Sequence, residues 1–149
     1  MESEWHILRS RDLGAKKWSD LTILKTLPNP SRKGYEIQIR NPEVTFLGVS
    51  NQPDFCTLFI TFYPFDTIIE LKSLKQYFHQ FRETVISYER FVNVIFEDLM
   101  MVYGPVRLRI VMTFLPRGGM SSRLTVDSDW KCRGGKEEFK DWVGQPEEW

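Results

Sequence analysis

Three places along the chain hold side chains that could do chemistry. Glu70-Leu71-Lys72-Ser73-Leu74-Lys75 gathers a carboxylate, a hydroxyl and two ammonium groups. Beyond it Leu74, Tyr77, Phe78 and Phe81 recur at helical spacing, and Ser73 with Gln76 fits a capping box, which predicts a helix starting near Ser73. Lys72 and Lys75 then lie where the backbone dipole is positive and disfavours cations. A phosphate would remove that conflict, since free backbone N–H groups, the Ser73 hydroxyl and both ammonium groups would converge on it. The alternative is that both lysines are solvated, with Glu70 as their partner, because surface ion pairs are common and weak.

The second place is Asn51-Gln52-Pro53-Asp54, dense in turn formers, which delivers Asp54 to the mouth of the apolar run Cys56 to Phe62. That run is rich in β-branched and aromatic residues and predicts a buried strand. Cys56 begins it, where a cysteine is most often an inert small hydrophobe with a raised pKa. The third place is Glu89, just after Ser87, whose hydroxyl can cap a second helix. An acid is favoured in a first helical turn whatever else it does.

The elements that must position these groups follow from pattern. Tyr35, Ile37 and Ile39 alternate with polar residues as a strand wet on one face, Pro42 interrupts it, and Val44 to Val49 reads as a second extended piece. After the first helix, a second runs from Ser87 to Val102 with Phe91, Val94, Ile95 and Leu99 on its apolar side, and Gly104-Pro105 ends it. Val106, Leu108, Ile110, Met112 and Phe114 then alternate with Arg107, Arg109 and Thr113 as a long strand. Residues 1–33 read as an irregular arm with one short strand, 34–122 as the folded domain, and 123–149 as a loop-like tail whose Trp130, Phe139, Trp142 and Trp149 are too scattered to form a core. Two helices inserted together between strands predict an α+β domain, an antiparallel sheet with both helices on one face. Such a sheet has free edges, and pairing of copies edge to edge into a barrel would close them.

Composition excludes several function classes. The 149 residues, 42% hydrophobic and 14% aromatic, suffice for one domain with a sizeable core. Twenty basic and 20 acidic side chains balance, so no overall field recruits nucleic acid or an anionic membrane, and any anion site is local. No apolar run is long enough to span a bilayer and the N-terminus has no signal-peptide pattern, which predicts a cytoplasmic protein. Cys56 and Cys132 make no disulfide framework, and neither joins His6 or His79 at metal-ligand spacing, so no metal site is expected.

Taken together, Pro42-Glu43-Val44-Thr45, Gln52-Pro53-Asp54-Phe55, Glu70-Leu71-Lys72-Ser73-Leu74-Lys75, Glu89 and Pro116-Arg117-Gly118-Gly119 resemble, in the same order, the QueF-like 7-cyano-7-deazaguanine reductases. The resemblance covers roughly residues 35 to 122. It implies the tunnelling fold and a nitrile reductase that makes the queuosine precursor, in which a cysteine thiolate forms a covalent thioimide and NADPH delivers two hydrides. It further implies Asp54 as proton donor, Glu89 as the carboxylate on a purine-like base, and Glu70, Lys72, Ser73 and Lys75 as the NADPH motif. A carboxylate suits that base, since a guanine-like edge presents adjacent N–H donors and a carboxylate accepts two at once.

The chain departs from the family at the nucleophile. Leu47 or Gly48 stands where the family has its cysteine, Tyr88 where it has a histidine, and Phe91 where it has a second cysteine. Cys56 is a substitute nucleophile only if its setting is electropositive and partly exposed, and Ser50 has no evident base. Two functions compete: a reductase that kept NADPH and base recognition, and a catalytically lapsed module that holds a 7-deazaguanine, purine or pterin-like ring or serves as a subunit. A scaffold without a ligand is the third.

Overall fold

The computed structural model describes residues 17–48, 50–116 and 118–129. Trp5, His6, Val49, Arg117, Cys132 and the aromatic residues of the tail lie outside them. In chain order come β1 (Thr26–Pro28), β2 (Ile37–Leu47), β3 (Pro53–Tyr63), β4 (Thr67–Ile69), α1 (Leu71–His79), α2 (Tyr88–Tyr103), β5 (Arg107–Phe114) and β6 (Arg123–Asp127), with 3₁₀ turns at Leu21–Ile23 and Gln80–Glu83. The main sheet is antiparallel in the order β2-β3-β5-β6, and β1 pairs separately with β4.

Alternation along β3 sets the layers. Cys56, Leu58, Ile60 and Phe62 face the same way and are buried, and with Leu108, Ile110 and Met112 of β5 they meet Phe91, Ile95 and Leu99 of α2 in one core. Each such side chain fully withdrawn from water stabilises the fold by about 1.5–3 kcal/mol. Both helices and the segment ahead of the first 3₁₀ turn are tied by one buried group: the Ser19 and Tyr77 hydroxyls both donate to Asp98 Oδ2 of α2, at 2.5 Å each. α2 ends as its sequence predicts, with Gly104 in the left-handed region at φ 51° and its N–H returned to the Met100 carbonyl.

Two expectations are corrected. Pro42 does not split β2, because the strand's register against β3 shifts between Asn41 and Val44, and this bulge on an outer strand absorbs the missing N–H. The segment after Pro116 is not all loop, since Arg123–Asp127 pairs with β5 from Arg109↔Asp127 to Thr113↔Arg123. Asp127 anchors it, accepting from Arg107 Nε at 3.2 Å and from its terminal nitrogen at 2.8 Å, with Arg109 at 3.7 Å. No helix among the described residues is long and apolar enough to cross a membrane.

Candidate functional site

The end of β2 draws the groups together. Leu47 donates its N–H to the Thr84 carbonyl and accepts from the Ile86 N–H, both at 3.0 Å, a short parallel bridge centred on Val85. Ser87 follows at once and caps α2 by accepting from the Arg90 N–H at 3.2 Å. Glu89 is thereby held in the first turn of α2 close to the β2–β3 hairpin. Across that hairpin Gly48 donates to the Gln52 carbonyl at 2.8 Å, and Asn51 adopts φ 65°, a conformation that Asn tolerates better than most residues.

Asp54, second residue of β3 and only 7% exposed, pairs with Phe46 and turns its carboxylate toward the hairpin. Its Oδ1 accepts from the Tyr88 hydroxyl at 3.0 Å. Its Oδ2 lies where a β-carbon on residue 48 would stand, so Gly48 is required by close approach and not by its φ. The Tyr88 ring is fixed in turn, stacked on Phe114 at 3.9 Å and edge-on to Phe46 at 5.7 Å. Gly48, Asp54, Tyr88 and Glu89, with Ser50, Ile86 and Ser87, line a cleft of about 190 Å³. Asp54 and Glu89, far apart in sequence, therefore border one space.

Cys56 has none of the features of a nucleophile. It is 3% exposed, and burial first and the Asp54 charge second push its thiol up to about 12. It borders a different cleft, of about 170 Å³, beside Pro42, Thr113 and Leu115. A thiol so protonated supplies almost no thiolate near neutral pH.

The helix bearing Lys72 and Lys75 starts earlier than its sequence suggests. Glu70 is the cap, its carboxylate accepting from the Ser73 N–H at 2.8 Å, which holds it below the usual glutamate range. Ser73 is 1% exposed and inside the helix, donating to the Glu70 carbonyl at 2.7 Å and accepting from the Lys25 N–H at 3.0 Å. The capping box of Ser73 with Gln76 is not formed. Negative charge at this helix start comes from Glu70 itself, and the conflict with the lysines is settled within the chain. Lys72 and Lys75 are exposed, and Lys75 borders a cleft of about 270 Å³ with Arg40, His79 and Arg82. Both ammonium groups are thus left on the surface, while Glu70 and Ser73 are committed to building the helix.

Sequence reasoning named Tyr88 only as a replaced family position and missed its bond to Asp54. It also missed Phe114 as the plate beneath Tyr88. The available signal was the alternation of β5, which puts Phe114 on the same face as Ile110 and Met112.

The model of the QueF-like protein family matches residues 53–133. Over 107 residues the chain is 38% identical to the NADPH-dependent 7-cyano-7-deazaguanine reductase of Thermosynechococcus vestitus, covering 70% of this chain and 80% of that one. It is 33% identical over 132 residues to the same-named protein of Trichodesmium erythraeum, covering 85% and 94%. Among solved structures, the archaeosine synthase QueF-Like in its apo form superposes with a TM-score of 0.56 at 13% identity, over 66% of this chain and 95% of that one, and supports the fold alone. With the family model matching more than half of the chain and relatives matching over most of their length, the chain belongs to the QueF-like family.

Proposed function

We propose that this chain binds a 7-deazaguanine or other purine-like ring in the cleft between Asp54 and Glu89, and that it does so without forming a thioimide. The observation that carries this reading is the placement of the Asp54 carboxylate over Gly48, in the space that a side chain at that position would need. With Leu47 and Gly48 offering no nucleophile and Cys56 buried beside another cleft, no thiol among the described residues reaches the site. Glu89 is exposed to the cleft and can accept two neighbouring N–H groups of a ring edge. Asp54 lies within the same space as the proton donor that the resemblance implies.

NADPH, named in the relatives, supplies hydride when bound. Lys72 and Lys75 would hold its phosphates, with Glu70 and Ser73 fixing the helix that carries them. Hydride delivery would be confined to a bond already electrophilic without sulfur, an imine-like or pterin-like C=N. The runner-up reading, a lapsed base-binding subunit, differs only in lacking that delivery.

Titration calorimetry with 7-deazaguanine tests ring recognition. Glu89→Gln removes the charge and one acceptor site and is expected to weaken binding by about 1.5–3 kcal/mol. Equal affinity in the variant would show that Glu89 serves only as a helix-start acid. Self-association belongs to the same reading, because β2 and β6 are the outer strands of the described sheet and are the edges through which copies would pair. Sedimentation equilibrium should find oligomers, and a stable monomer at micromolar concentration would refute the pairing.

A further inference from the structure

Phe59 of β3 and Val111 of β5 are the two buried apolar side chains among the described residues that stand outside the core between sheet and helices. They lie opposite each other on the side of the sheet that looks away from both helices. Val111 is 1% exposed and Phe59 9%, and on the same face Thr61 and Arg109 are buried as well. Something covers this face. The buried apolar side chains of both helices, of β4 and of the second 3₁₀ turn all belong to the core on the other face, so none of them is the cover. Arg40 reaches over Phe59, 5.9 Å from its ring centroid, and shields it in part. Thr113 and Thr125, beside Val111 along and across the sheet, are too short to do the same for it.

We propose that this sheet face is the docking surface of the chain's own C-terminal segment, residues 130–149. The segment leaves from the right place. Asp127 is held by Arg107 and Arg109, and Ser128 donates its N–H to the Leu108 carbonyl, so the chain is handed over at the strand next to the buried rows. Twenty residues reach about 65–70 Å when extended, several times the width of four strands about 4.8 Å apart. The N-terminal end of the described chain starts on the wrong side, with Trp18 on Arg90 and Ser19 on Asp98 of α2. Chemistry agrees with position. The face carries Arg40, Arg107, Arg109 and Arg123. Residues 137–149 hold five acids against the single base Lys140, and Phe139, Trp142 and Trp149 supply apolar anchors for Phe59 and Val111. Most of the segment lies beyond residue 133, where the match to the family model ends.

The test uses the full chain with isotope-labelled Val and Ile methyl groups and reads their broadening by a soluble gadolinium chelate. Ile110 and Val111 are chain neighbours on opposite faces of β5, and Val106, 68% exposed, is the reference for an open methyl. In the unaltered chain Val111 should be as protected as Ile110. In a variant carrying Phe139→Ser, Trp142→Ser and Trp149→Ser, Val111 should broaden as Val106 does, while Ile110 stays protected because the core is untouched. Val111 that broadens already in the unaltered chain, or that remains protected in the variant, overturns the proposal, the second result giving the cover to the arginine stems. Protection of the unaltered chain that is lost on dilution overturns it in favour of a second copy. Should the variant fail to fold, Ile110 broadens too, and the charge variant Glu137→Gln, Glu138→Gln, Asp141→Asn decides instead, with broadening of Val111 alone expected and continued protection counting against the proposal.

Discussion

At the start of α1 a carboxylate closes the helix on itself, whereas at the start of α2 a hydroxyl does the capping and the carboxylate is left to face a cleft. Glu70 and Ser73 satisfy each other and the Lys25 N–H, and Ser73 is buried. Ser87 caps α2, and the next two residues, Tyr88 and Glu89, both border the cleft beside the hairpin. The difference lies in what precedes each helix. Leu47 pairs with the strand-like segment ahead of α2 and brings its first turn to the hairpin, while α1 follows β4, and the Glu70 N–H is tied to the Lys25 carbonyl. A helix start can thus be a finished joint or a working edge, and its partners decide which.

Substitutions that exchange these roles sharpen the contrast. Gly48→Cys, which places a thiol at one of the two positions that match the family cysteine, forces Asp54 off its place and off Tyr88. The expected cost is about 3 kcal/mol, from overpacking and the lost hydrogen bond together. Urea denaturation should show it as a lower midpoint, and an unchanged midpoint would mean that Asp54 swings away freely. Ser73→Ala leaves the Lys25 N–H without its acceptor in a buried joint and should cost about 2 kcal/mol. Ser87→Ala loses an ordinary cap, worth about 1 kcal/mol. Equal losses at the two serines would contradict the distinction between joint and edge.

Much of this organisation was legible before the fold was known. The run from Cys56 to Phe62 and the helix after Ser87 carry strong periodicity, and both stand within a few residues of where their patterns put them. Asp54 and Glu89 were nameable as candidates because their motifs resemble a family, although no spacing rule brings them together. That proximity depends on the Leu47–Val85 bridge, a long-range pairing without a local signature. The start of α1 misled because Ser is a better cap than Glu by propensity, and burial of Ser73 against the Lys25 N–H overrode that preference. β6 was hidden for a similar reason: its pairing depends on the Asp127 contacts with Arg107 and Arg109, which lie about 20 residues back. The occupation of the Gly48 space had no sequence signal beyond the glycine itself.

The central claim, a ring held without a thioimide, is tested most directly by the intact mass of the full chain after incubation with excess 7-cyano-7-deazaguanine. Addition of a thiol to a nitrile keeps every atom, so a thioimide would raise the mass by that of the whole nitrile compound. The expected result is an unchanged mass. An added mass would contradict the account, and its disappearance in Cys56→Ala would make Cys56 a relocated nucleophile despite its burial.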